Sequence, residues 1–371
     1  MSQQPWGAPP PPRRGAPPRP TWAAPPTWGP PGQWPAARQW PAPRPPRRRS
    51  SGLGNAVRVV VAVVAIIMIA SAVKGFLERA SESSSRPEQP APAPRVPGDP
   101  TTSYVNEDYT PPPVDRNPPP VPGPRTMDAA GRLVTGNPLY DQSVPVPTNC
   151  AMAQVAVNSA SPAQKQAHFN DLMGCLMTVF AEPVEAAGFT MPRPPVTVYA
   201  RPIKTACGDF SEVNAAYCTG DQRIYYADNL LRAFPPAVAN ANYAAEMILA
   251  HEFGHAIQAR TAILISEKYL EQDARTEEAA LDLSRRTEVQ ADCLAGQYVR
   301  SVAQSQGLGS GDLDRLAGLV YNLGDDVLSG RAGYSGGHGT GEARQYWFDR
   351  GSGSDAIAAC NSFTVGSDLV R

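Results

Sequence analysis

His251-Glu252-Phe253-Gly254-His255 reads HExxH, and it sits inside the run Tyr243 to Gln258, which carries a helical pattern throughout. At 3.6 residues per turn, His251 and His255 lie one above the other on a single helix face. Two imidazoles at that spacing can hold one zinc ion. Glu252 between them then stands beside the metal as a candidate general base.

A catalytic zinc site needs three protein ligands and one open position. One known continuation of HExxH requires Gly at 258 and His at 261, and this chain has Gln258 and Thr261 there. A later helix, expected over 276–304, offers another third ligand. Glu288 and Asp292 are four residues apart in it and therefore share a face. Glu288 can ligate the metal while Asp292 accepts a hydrogen bond from a ligand histidine, fixing its tautomer and ring orientation. Ala291, Ala295 and Gly296 are small enough to let that helix approach a partner closely. Two acids four apart on a helix are ordinarily a solvated face; the HExxH upstream is what turns the reading towards a site.

Composition limits how much of the 371-residue chain can fold. Most of its 42 prolines fall before residue 147. Segments so rich in Pro, Gly, Ser and Arg bury too little apolar surface to offset the entropy of ordering them. One globular domain is therefore expected over 137–371, long enough for a sizeable core. The net charge of −1 conceals an asymmetry, with nine arginines and no acid in residues 1–58 and 24 basic against 34 acidic residues in the remainder. An acidic globular part argues against a nucleic-acid partner.

Taken in order, residues 1–54 read as a disordered cytoplasmic tail, with Trp22, Trp28, Trp34 and Trp40 recurring among prolines and arginines. Val59 to Val73 is fifteen residues without a charge, about 22 Å of helix against a hydrocarbon core of about 30 Å. With Arg58 and Lys74 snorkelling, 55–77 becomes a usable transmembrane signal-anchor. Basic residues before it predict the N-terminus inside and the bulk of the chain outside, a single-pass protein of the cell membrane. Cleavage near Ala72 is the alternative. Residues 78–136 read as a second disordered, Pro-rich linker.

Within the domain, Ser161-Pro162 signals a helix start. Phe169, Leu172, Met173, Leu176 and Phe180 then recur at core-helix spacing. Val196–Ala200 and Arg223–Ala227 read as strands of a small sheet over the cleft. Six cysteines, Cys150, Cys175, Cys207, Cys218, Cys293 and Cys360, all lie in this part and none forms CxxC. An even count after an export segment fits three disulfides in an oxidising compartment, with 15 connectivities open. The pairing expected is Cys150–Cys175, Cys207–Cys218 and Cys293–Cys360, against an alternative of buried free thiols. Of the remaining histidines, His168 reads as a surface residue. His338, in a glycine-rich loop, suits an active-site rim where an imidazole could hydrogen-bond a developing oxyanion; a structural role before the following helix is the other reading.

Three blocks together carry a resemblance: His251 to Gln258, Glu288 to Gly296, and His338 to Phe348. They resemble the bacterial putative neutral zinc metallopeptidase family, proteins similar to gluzincins in their His, His, Glu ligand set. The resemblance implies an α+β fold, a mainly helical zincin-like metallopeptidase domain with a small β-sheet. It implies one zinc ion (Zn2+) per chain held by His251, His255 and Glu288, with Glu252 as catalytic base and Asp292 as the partner of a ligand histidine. The third block departs from the family's usual His-Gly-Ser-Ser at Thr340 and Gly341, and again at Ala343. The function expected is a membrane-anchored, extracytoplasmic zinc-dependent peptidase acting on protein or peptide substrates. The alternative is a non-catalytic, zinc-stabilised envelope scaffold or binding protein, against which Glu252 counts because a structural metal needs no base.

Overall fold

The computed structural model describes residues 103–371 except 151, 211 and 212. The expected tail, the expected signal-anchor and the linker up to residue 102 lie outside the described residues. Among the described residues, no helix is long and apolar enough to cross a membrane.

Residues 103–136 correct the expected boundary at 137. Met127–Thr135 forms helix α1, its first turn capped by Thr126, whose hydroxyl accepts from the Ala129 N–H at 3.1 Å. Ala130 and Val134 are buried. The proline run upstream is also held. Pro119 O accepts from Arg260 Nη1 and from Gln222 Nε2, each at 2.8 Å. The Asp115 N–H donates to Arg193 O at 3.0 Å. Proline has lost its N–H but keeps its carbonyl. Composition reports the missing donors and says nothing of carbonyls satisfied by distant arginine and glutamine side chains.

Helix α2, Pro162–Ala186, begins where Ser161-Pro162 predicts, with Ser161 and Gln164 forming a reciprocal capping box. Phe169, Leu172, Met173, Leu176 and Phe180 are all within 1 % of full burial, so this helix is core. His168 is not the surface residue expected. It is buried, with Nε2 2.5 Å from Glu246 Oε1. Its polar sequence neighbours hid a partner 78 positions away.

Five strands follow: β1 Val196–Tyr199, β2 Ile203–Thr205, β3 Gly208–Phe210, β4 Ala215–Cys218 and β5 Arg223–Ala227. The three-stranded sheet has the order β1-β5-β4, with β1 parallel and β4 antiparallel to the central β5. β2 and β3 make a separate antiparallel pair. The remaining chain is helical: α3 Pro236–Ala239, α4 Ala244–Arg260, α5 Ile263–Gln272, α6 Glu277–Val302, α7 Ser310–Asn322, α8 Asp325–Ser329 and α9 Gly341–Ser352. The architecture is thus mainly helical with a small sheet, as expected for α+β.

The helix expected over 241–262 is α4, and a further helix, α5, follows it where none was expected. α4 ends at Arg260, Ala262 takes φ +64°, and α5 begins at Ile263. A left-handed residue at a helix end is ordinarily Gly or Asn. Alanine takes that place here, in a buried position that holds the strained conformation.

α4 is nearly buried all round and packs against α6, α5, α2 and β4. Its tightest crossing is at Gly254, where a Cβ would stand 3.1 Å from the Ala291 Cα of α6. On the other side, α6 meets α9 even more closely. A Cβ on Gly296 would fall 2.3 Å from Phe348 O, and one on Gly351 would fall 1.9 Å from Cys293 O. Three disulfides hold the domain, Cys150–Cys175, Cys207–Cys218 and Cys293–Cys360, the pairing expected. No described cysteine is free.

Two outcomes follow from this packing. A chain beginning at residue 137 should melt several degrees below one beginning at 103, because Arg260 and Gln222 lose the Pro119 carbonyl and α5 loses α1; equal melting temperatures by calorimetry would count against it. Glu267 on α5 supplies a pH test. Its carboxyl is sealed from solvent with the Lys268 ammonium 3.4 Å away. Burial is the main cause that raises it from 4.5 to about 8, against the opposing pull of Lys268. Between those two pH values the folded chain keeps a proton that the unfolded chain has lost, so stability falls as pH rises through that window. Glu267→Gln should raise the melting temperature at pH 9 and change it little at pH 4.

Candidate metal centre

His251 and His255 project from one face of α4, and Glu288 reaches them from α6 because Gly254 and Ala291 let the two helices touch. His251 Nε2 lies 3.1 Å from His255 Nε2 and 3.3 Å from Glu288 Oε2. His255 Nε2 lies 3.6 Å from Glu288 Oε1. Two nitrogens each about 2.0–2.1 Å from a tetrahedral zinc would sit about 3.3 Å apart. Among the described residues this is the cluster of His, Cys, Asp and Glu able to hold a metal ion.

The hydrogen bonds behind the ligands decide which atoms face inwards. His251 Nδ1 donates to Asp292 Oδ1 at 2.8 Å. His255 Nδ1 donates to Gln258 Oε1 at 2.8 Å. Gln258 is oriented in turn, its Nε2 donating to Thr287 O at 2.8 Å and to Gln290 Oε1 at 3.1 Å. With both Nδ1 atoms committed as donors, both Nε2 atoms carry lone pairs. Two lone pairs and a carboxylate aimed at one point repel each other unless a cation sits there. The donor set, two imidazoles and one carboxylate, suits zinc.

The charges agree. Burial pulls the His251 imidazole down, yet the Asp292 carboxylate and its hydrogen bond, aided by Glu288, raise it to about 10. Burial pushes Glu288 up, and the neighbouring imidazoles more than reverse this, holding it well below the usual carboxylate range. A proton shared among these groups does for the bare protein what a cation does in the loaded one.

Asp292 is fully buried and doubly used. Besides His251, it accepts from Arg344 Nε at 2.8 Å and from Arg344 Nη2 at 2.9 Å. Burial would raise its carboxyl, and Arg344 followed by His251 bring it below its ordinary value. Arg344 comes from α9, anchored by Nη1 to Leu323 O at 3.0 Å.

Glu252 lies in the same cleft, and its Oε2 accepts from the Tyr217 N–H of β4 at 2.8 Å. That bond pins the carboxylate beside the ligands. His338 also lines the cleft. Its Nδ1 lies 3.1 Å from Asp325 Oδ1, while Asp325 Oδ2 accepts from the Gly336, His338 and Gly339 N–H groups at 2.8, 3.0 and 3.2 Å. The hydrogen bond to Asp325 raises the imidazole of His338, which is exposed on the cleft rim, and so favours the protonated ring.

The structure therefore brings His251, Glu252, His255, Glu288, Asp292 and His338 to one place. Sequence reading missed Asp325, the role of Arg344, the Gln258 contact and the Tyr217 N–H. Gln258 was visible at three residues from His255, a helical neighbour. Asp325 gave no signal and Arg344 only its place in the block His338 to Phe348, because their partners are 13 and 52 positions away.

A sequence model of the putative neutral zinc metallopeptidase family matches residues 135–363. The chain belongs to that family. It is 29% identical over 246 residues to the uncharacterized protein YpfJ of Escherichia coli (strain K12), covering 64% of this chain and 81% of that protein. It is 26% identical over 229 residues to the uncharacterized protein Rv2575 of Mycobacterium tuberculosis (strain ATCC 25618 / H37Rv), covering 55% of this chain and 75% of that protein. No solved structure gives a significant match. The family's name implies zinc, and the His251, His255 and Glu288 cluster is where the donor set fits it.

Two variants separate the ligands from their support. Glu288→Ala should lose most of its zinc by metal analysis while the disulfides remain; full metal retention would remove it from the ligand set. Arg344→Ala should cost about 3–5 kcal/mol in denaturant unfolding, because the Asp292 carboxylate stays buried without its cation.

Proposed function

We propose that this chain is a membrane-anchored, extracytoplasmic zinc peptidase, with one zinc ion per chain held by His251, His255 and Glu288. The observation that carries the reading is the Glu252 carboxylate, buried and tied by one oxygen to Tyr217, in the cleft where both Nε2 atoms and Glu288 converge. A metal that only braced the fold would need no such base.

Zinc, when bound, supplies a Lewis acid that polarises a carbonyl and lowers the pKa of water. Every other part belongs to the chain. Glu252 takes a proton from the attacking water as the water oxygen bonds to the carbonyl carbon. The same carboxyl hands that proton to the amide nitrogen as the C–N bond breaks, giving a carboxylate and an amine. His338, held by Asp325, donates a hydrogen bond to the carbonyl oxygen as negative charge develops there. Asp292 and Gln258 keep the two ligand rings in register throughout.

Edge strand β4 supports a polypeptide substrate. Asn214 O accepts from the Ala227 N–H of β5 at 2.8 Å. By the two-residue alternation of a strand, Ala215 and Tyr217 turn their backbone groups the other way, and Tyr217 already meets Glu252 there. An extended chain can pair along such an edge. The location is supported by the arginine-rich sequence before the apolar stretch and by three disulfides, which persist in oxidising compartments.

The test is hydrolysis of an unstructured protein such as casein by the zinc-loaded full chain. Glu252→Gln should lower the rate on the order of 10²–10⁴-fold with metal content unchanged. Equal rates in the two proteins would sink the assignment of the base.

A further inference from the structure

The cleft around the metal centre has a volume of about 630 Å³, and most of its wall is apolar. That wall is not required by the chemistry. Leu230, Ala233, Phe234, Ile248, Leu264 and Ile265 line it, and none of them can hold a metal or move a proton. In the chain they come from stretches before and after the ligand pair. Ile248 lies one turn before His251 on α4, joined by Leu230 and Phe234 from the segment after β5. Leu264 and Ile265 begin α5, just beyond His255. A peptide bond at the metal would therefore lie in a cleft whose apolar wall comes from two separate stretches of chain.

Charge selection is poorly provided for. Arg344 is taken by Asp292 at 2.8 Å, Lys268 by Glu271 at 2.6 Å and His338 by Asp325 at 3.1 Å, while Glu252 and Glu288 belong to the metal centre. Small residues widen the cleft instead, with Ala215 and Ala216 on the β4 side. Large apolar side chains with extended backbone around them are what an unfolded chain presents and a folded one hides.

Resting on the peptidase reading, we infer that the substrates are unfolded polypeptides, bound and cut beside large aliphatic or aromatic side chains. The wall formed by Leu230, Ala233, Phe234 and Ile248 with Leu264 and Ile265 selects them.

Recognition can be read apart from cleavage. The zinc-loaded full chain carrying Glu252→Gln is titrated, by fluorescence anisotropy, into labelled hexapeptides differing at one central position: Leu, Phe, Gly, Asp or Lys. The Leu and Phe peptides should bind about 10-fold or more tighter than the others. Equal binding, or a preference for Asp or Lys, overturns the inference. Ala233 is exposed in the cleft wall, so Ala233→Glu can be introduced without disturbing the core. It should weaken the Leu and Phe peptides about 10-fold and strengthen the Lys peptide; an unchanged profile would remove this wall from the selection. The same peptides offered to the chain with Glu252 intact separate the two readings. Cleavage without apolar preference overturns the inference and leaves the peptidase standing. Apolar preference without cleavage overturns the peptidase and leaves the recognition standing.

Discussion

The metal centre depends on one close contact, the crossing of α4 and α6 at Gly254 and Ala291. A Cβ at 254 would stand 3.1–3.3 Å from Ala291, tighter than carbons ordinarily pack, so a side chain there would press the two helices apart. That distance puts Glu288 and Asp292 within reach of His251. The pattern repeats on the far side of α6, where Gly296 and Gly351 admit α9 and the Cys293–Cys360 disulfide holds the C-terminal segment against α6. Arg344 then arrives beside Asp292. Two crossings of small residues thus set the positions of groups from three helices.

The electrostatics of the site follow from that geometry. Asp292 and Arg344 cancel each other in the interior, an arrangement that survives burial because both are also hydrogen-bonded elsewhere. The remaining ligand charge is that of Glu288, since both histidines are neutral when their lone pairs point at a metal. A dication held by one negative ligand keeps most of its charge for a bound carbonyl or water. Asp292 withdraws nothing from this balance, because Arg344 neutralises it. Its work is to fix the proton on His251 Nδ1.

The cleft is assembled from elements that are distant in sequence. β4 supplies a backbone edge and the bond that pins Glu252, and the Cys207–Cys218 disulfide anchors the end of that strand. The glycine-rich loop after α8 is gathered on the Asp325 carboxylate, which accepts from three backbone N–H groups as well as facing His338. Glycines there free the backbone to bend around one acceptor, and the acceptor converts a permissive sequence into a defined rim. Proline carbonyls of 111–120 do similar work at the other end of α4, where they satisfy Arg260.

By itself the sequence determined the local features. The HExxH pair, the acids four apart on a later helix, the Ser161 cap and core helix, two of the strands and the even cysteine count are all readable, because helix and strand periods place neighbours within a few residues of one another. Tertiary structure alone decided the rest. The burial of His168 against Glu246, the use of Arg344 and Asp325 and the docking of 103–136 depend on partners 13 to 141 positions away. Such contacts are made by packing, and no local pattern in a chain records which side chain will be waiting across the core.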